Sequence, residues 1–134
     1  MKIIWWADVH CEHSIKSDNI KGETQSFLVL EELKKHAILE NPDWIIVLGD
    51  MLDKHGILES SLAVYLQEQI EQLRTNYGIN FVFITGNHEY QSVKDRYFGK
   101  GLLQAIFGNQ RDSGIYVIDG IAEFIRLDDS HVLL

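Results

Sequence analysis

Residues 3–10 read IIWWADVH. Ile3 to Ala7 make an apolar run of strand length, and it ends on an Asp and a His that no apolar core requires. A short continuous apolar run is the pattern of a strand buried in a parallel sheet. The chain repeats it. Trp44 to Leu48 is a second run, followed by Gly49-Asp50-Met51-Leu52-Asp53. Phe81 to Ile84 is a third, followed beyond Thr85 by Gly86-Asn87-His88-Glu89.

The segments between these runs read as helices. Phe27, Leu30, Leu33 and Ala37 share one helical face, with Thr24 as a candidate N-cap. Asn41-Pro42-Asp43 punctuates before the second run. Leu62, Leu66, Ile70 and Leu73 form a second stripe, capped by Ser60 or Ser61 and stopped at Tyr77-Gly78. Gln91 to Phe107 is helical in tendency, broken by Gly99 and Gly101 and closed by Gly108-Asn109. Ile115 to Ile118 and Ala122 to Leu127 read as paired strands with Asp119-Gly120 as their turn. Val132 opens another apolar run. Strands alternating with amphipathic helices predict an α/β fold, a mostly parallel sheet flanked by helices.

At 134 residues the chain fits a single domain, 1–134, with room for a real core. It has no repeat or low-complexity tract. A hydrophobic content of 46% excludes a disordered chain. No apolar run approaches bilayer length, so no membrane partner is expected. The start lacks the apolar stretch and cleavage site of a signal peptide, and one cysteine forbids an internal disulfide. The expectation is cytoplasmic. A formal net charge of −8 argues against a broad basic face for nucleic acid. Bound divalent cations would cancel carboxylates where a phosphate sits, so a nucleic-acid enzyme stays open.

Three loops, each after a strand, carry Asp8 and His10, then Asp50 and Asp53, then Asn87, His88 and Glu89. In open α/β sheets ligands bind beyond the carboxyl ends of the strands. Carboxylate, amide and imidazole donors together suit Mn²⁺, with Fe or Zn²⁺ as alternatives, better than a thiolate site or an all-oxygen cage. Gly49 and Gly86 sit where the backbone must turn sharply towards an ion or a phosphate. Singly, each motif is a common turn, and a lone His at a strand end is usually a hydrogen-bonded rim residue. The three in order are what a metal site needs. Cys11 beside His10 is read as a bystander, because no phosphate-cradling Cys loop or following Arg accompanies it.

Asp8-x-His10, Gly49-Asp50-x-x-Asp53 and Gly86-Asn87-His88-Glu89 resemble the first three signature motifs of the calcineurin-like metallophosphoesterases, over residues 1 to about 90. The resemblance implies the first half of a four-layer α/β/β/α sandwich with a two-metal site. It implies that Asp8 and His10 bind one metal, Asp50 bridges both, Asn87 binds the second, and His88 protonates the leaving oxygen or steadies the transition state. Asp53 and Glu89 would orient His88 or the loops. The loop after the first motif and the Gly86-to-Tyr90 sequence are most similar to the DNA-repair exonuclease branch. Trp5, Trp6 and Tyr90 are candidates for stacking on bases, while a place inside a strand puts the tryptophans in the core.

The family's later motifs are a His after a further strand and a Gly-His-x-His. Of six His, only His131 lies beyond the third motif, and it precedes an apolar run instead of following one. His13 and His55 read as rim residues and His36 as solvated. The expectation is metal-dependent phosphoester hydrolysis, of phosphodiesterase or nuclease type, by a partial site acting on a phosphoester substrate that includes nucleic acid. Two alternatives stay open: a non-catalytic binding module and a phosphomonoesterase. All three apolar strands read as buried on both faces, yet little sequence is left for a second sheet, so one apolar face is expected to lie exposed. A second copy or a partner would then complete the fold as an oligomer.

Overall fold

The structure is a computed structural model that describes residues 1–7, 9, 25–49, 60–85, 102–107, 111–118 and 124–133. Four strands, β1 (Ile3–Ala7), β2 (Trp44–Leu48), β3 (Asn80–Ile84) and β4 (Ile115–Ile118), lie side by side in that order, every pair parallel. Helices α1 (Gln25–Glu40), α2 (Ser60–Tyr77) and the short α3 (Leu102–Phe107) fall between them, and a 3-10 turn at Arg111–Ser113 leads into β4. This is the predicted α/β fold.

The helices stop where the sequence changes character. Asn41, with φ of 43°, donates its N–H to Ala37 O at 2.9 Å and ends α1. Gly78, with φ of 66°, does the same for α2 through Arg74 O at 3.0 Å. Both are residues that enter the left-handed region readily at a helix C-terminus. The strands then start in register. Asp43 N–H donates to Lys2 O, and Asn80 N–H donates to Asp43 O. Lys2 also pairs with Glu40 and so ties the end of α1 to the start of β1.

Side chains alternate across the sheet and give two cores. On the helix side, Trp6, Ile45, Val47, Phe81, Phe83, Ile115 and Val117 meet Leu30 and Ala37 of α1, Leu66, Ile70 and Leu73 of α2, and Leu103 and Phe107 of α3. Phe83 stacks on Phe107 at 4.7 Å between centroids, and on Phe81 at 5.8 Å. The periodic stripes at Leu30, Ala37, Leu66, Ile70 and Leu73 face this core as predicted. The side chains of Phe27 and Leu62, and Thr24 itself, lie outside the described residues.

On the other side, Trp44, Ile46 and Val82 meet Ile125 from a small antiparallel pair, β5 (Ile125–Arg126) with β6 (Val132–Leu133). Trp44 Nε1 donates to Leu127 O at 3.1 Å and pins this hairpin to β2.

Three expectations change. Among the described residues, Ile115–Ile118 does not pair with the segment beyond it. It joins β3 in parallel, and β5 pairs with β6 across an Asp128–His131 turn. The second face of the sheet is not left bare, because this hairpin seals its middle. Finally, β1 is an edge strand, so it is not buried on both faces: Trp6 is 5% exposed, yet Trp5 is 51% exposed. Trp5 is therefore not a core residue, although it lies inside a strand.

Candidate metal centre

The parallel register brings four strand ends level. Ala7 pairs with Leu48, Leu48 with Ile84, and Ile84 with Ile118. The next residues in the sequence are Asp8 after Ala7, Gly49-Asp50 after Leu48, Thr85-Gly86-Asn87 after Ile84, and Asp119 after Ile118. Neighbouring strands lie about 4.8 Å apart, so the departure points from β1 to β3 span about 10 Å. That is the scale of two ions about 4 Å apart with their ligands around them.

The candidate residues Asp8, His10, Asp50, Asp53, Asn87, His88 and Glu89 lie outside the described residues, as do His13, His55, Cys11 and Tyr90. One described residue lies at or just before each motif. Val9, the middle of Asp8-x-His10, is half-buried and packs on the helix-side core, which tethers that motif between its two candidate ligands. Gly49 has φ of 72°, so the chain turns through the left-handed region one residue before Asp50, as the glycine predicted. Thr85, one residue before Gly86, donates both its N–H (3.1 Å) and its hydroxyl (2.9 Å) to Ile118 O. Sequence reading passed over Thr85, and only the pairing of β3 with β4 singles it out.

The opposite edge carries paired charges. Lys2 holds the Glu40 carboxyl below its usual range by hydrogen bond and charge. Beside Leu127, Asp128 accepts from Ser130 N at 2.8 Å and His131 N at 2.7 Å, and its Oδ1 lies 2.8 Å from His131 Nδ1. These bonds, the Ser130 amide first, lower the Asp128 pKa. His131 thus sits by the start of β2. A strand rises about 3.3 Å per residue, so Leu48 is about 13 Å farther on. Along the outer helices, burial and then the Glu31 carboxylate, which accepts the Tyr65 hydroxyl at 2.8 Å, raise the Tyr65 pKa. His36 is exposed on α1, as expected. Among the described residues no three His, Cys, Asp or Glu gather as a metal site, and no helix is long and apolar enough to cross a membrane.

Residues 1–131 match the sequence profile of the calcineurin-like phosphoesterases. The match continues through β4 and β5, well past the third motif, and ends at His131, just before β6. Over 89 residues the chain is 32% identical to a subunit of the nuclease SbcCD from Staphylococcus epidermidis. That segment is 66% of this chain and 23% of the relative, so the chain spans well under two thirds of the length of the curated protein it matches.

Proposed function

The chain belongs to the calcineurin-like phosphoesterase family, and from that premise we propose that it carries the first ligands of a divalent-metal-dependent phosphoester hydrolase of phosphodiesterase or nuclease type. One observation supports this reading most: the strands preceding all three motifs end level at one edge of the sheet. The donor set there fits Mn²⁺, with Fe or Zn²⁺ as the alternatives.

The strand order β1-β2-β3 supports the roles. Asp50 follows the middle strand, so it is the carboxylate with a candidate ligand group on either side: Asp8 and His10 after β1, Asn87 after β3. A bridging role falls to it for that reason. His88, next to Asn87, holds the proton that passes to the leaving oxygen, and Asp53 and Glu89 orient the loops. When bound, the ions supply an acidified water and neutralise charge on the phosphoryl oxygens. With a net charge of −8, the protein depends on those ions to receive a phosphodiester. The similarity to a protein named as part of a nuclease favours nucleic acid as substrate, within a complex.

The test is calorimetry with Mn²⁺ on the wild type, Asp50→Asn and His88→Ala, beside turnover of bis-aryl and mono-aryl phosphates. Asp50→Asn is expected to abolish measurable binding. His88→Ala keeps binding and loses about 10²–10⁴-fold in turnover. A preference for the bis-aryl ester marks the phosphodiesterase. Equal heats for wild type and Asp50→Asn would overturn the proposal.

A further inference from the structure

We infer that Thr85 is a positioning residue for the third-motif loop: its hydroxyl locks the end of β3 to the end of β4 and so sets where Asn87 and His88 begin. The inference rests on the metal-site reading above. Its structural basis is the two bonds from Thr85 to one carbonyl, N–H to Ile118 O at 3.1 Å and Oγ1 to Ile118 O at 2.9 Å.

The two bonds do different work. The N–H bond simply continues the parallel ladder past the Ile84–Ile118 pair, as any residue's amide would. The carbonyl is already satisfied by it, so the hydroxyl is not needed to keep a buried acceptor paired. What the hydroxyl adds is a second point of attachment. It fixes the orientation of Thr85 as well as its position, and a β-branched side chain with few χ1 choices holds that orientation. The next residue is Gly86, the most permissive residue for backbone direction. Only that one residue separates Thr85 from Asn87 in the sequence, so the clamp acts at the described residue nearest the third motif. Metal ligands tolerate errors of only about 0.2 Å in distance.

The anchor is itself firm. Ile118 packs on the core behind the sheet, and its neighbour Val117 is buried in the core in front of it. Thr85 is half-buried, so this contact is only partly open to water. β1 and β2 have no described counterpart of this clamp at their C-terminal ends. There Val9 and the turn at Gly49 serve instead.

The test uses the full chain with Mn²⁺ as the probe. Calorimetry and Mn²⁺ electron paramagnetic resonance are run on the wild type, Thr85→Val, Thr85→Ser and Thr85→Ala, with a thermal melt of each metal-free protein. Thr85→Val keeps the shape and the N–H bond and removes only the hydroxyl. It is expected to weaken Mn²⁺ binding about 10-fold or more, the low end for groups that orient metal ligands, and Thr85→Ala should do the same. Thr85→Ser restores the hydroxyl and is expected to bind close to wild type, with the same resonance spectrum. Unchanged affinity in Thr85→Val and Thr85→Ala, whatever their melts, overturns the inference and leaves the metal site standing. Equal weakening in Thr85→Ser and Thr85→Val also overturns it, since packing would then be the cause. A wild type that takes up no Mn²⁺ overturns the metal-site reading and this inference with it.

Discussion

Ile125→Ala should free the β5–β6 hairpin from the sheet. Ile125 is 2% exposed and meets Trp44, Ile46 and Val82. A two-stranded hairpin is marginal by itself, so docking must hold it. Truncation to Ala removes three carbons at about 0.8 kcal/mol each, roughly 2.4 kcal/mol before any cavity cost, which lies within the usual range of about 2–5 kcal/mol for such a change. The indole N–H of Trp44 reports docking directly, because its acceptor is Leu127 O on the hairpin. If the indole exchanges with solvent only when the hairpin lifts, its exchange should accelerate roughly 60-fold, with 1.36 kcal/mol per factor of ten. The assay is hydrogen exchange by NMR, which resolves the three indoles of Trp5, Trp6 and Trp44. The amide of Phe83, in the helix-side core, is the control. Its exchange should rise less, because lifting the hairpin leaves that core intact. Wild-type protection of the Trp44 indole in Ile125→Ala would refute the claim that burial of this one side chain seats the second sheet.

Two further outcomes test the frame. Hydrogen bonds depress the Asp128 pKa in the folded chain, so its stabilisation is full above the ordinary Asp value of 3.8 and is lost as pH falls through the lower folded value; the Trp44 indole of wild type should lose protection in that acid window, whereas Asp128→Asn should lack the step and be less protected at pH 7. Gly114→Ala should be more costly than Gly78→Ala by thermal melt: both have positive φ, worth roughly 1–2 kcal/mol for a residue with a Cβ, but a Cβ at Gly114 would run into the Asn80 side chain while one at Gly78 meets nothing within 4 Å.

The central strands and both long helices were legible because their signals are local. Trp44 to Leu48 is apolar and flanked by breakers, and β2 has those bounds. Leu66, Ile70 and Leu73 keep helical spacing and are buried together. The errors were all about partners distant in sequence. Asp119-Gly120 is a strong hairpin signal, and it outweighed a contrary one: Ile115-Tyr116-Val117-Ile118 has no polar alternation, which is the pattern of a parallel strand covered on both sides. Trp5 was placed in the core because periodicity cannot tell an edge strand from a central one. The motif residues stand out by chemistry alone, since an apolar core does not require Asp, His or Asn after its strands; they lie outside the described residues. Thr85 does not stand out in the sequence, because its described bonds run to Ile118, 33 residues away.

One topological rule ties the site to the second layer. Parallel strands joined by right-handed crossovers, when they are laid down in the order β1-β2-β3-β4 without reversal, put every connecting helix on the same face. α1, α2 and α3 accordingly all pack on the side of Phe81 and Phe83. All four strands point one way, so the strand ends that precede the three motifs lie at a single edge, with the end of β2 between those of β1 and β3. The fold that brings these strand ends level therefore also leaves its second face without helices among the described residues. That face carries Trp44, Ile46 and Val82, and among the described residues the β5–β6 hairpin packs over them. On the same face Trp5, level with Ile46 on the outer strand β1, and Leu48, at the motif edge, stay 51% and 43% exposed. A β/β interface is thus a consequence of the site-building topology, and the hairpin held by Trp44 and Ile125 is where that interface starts.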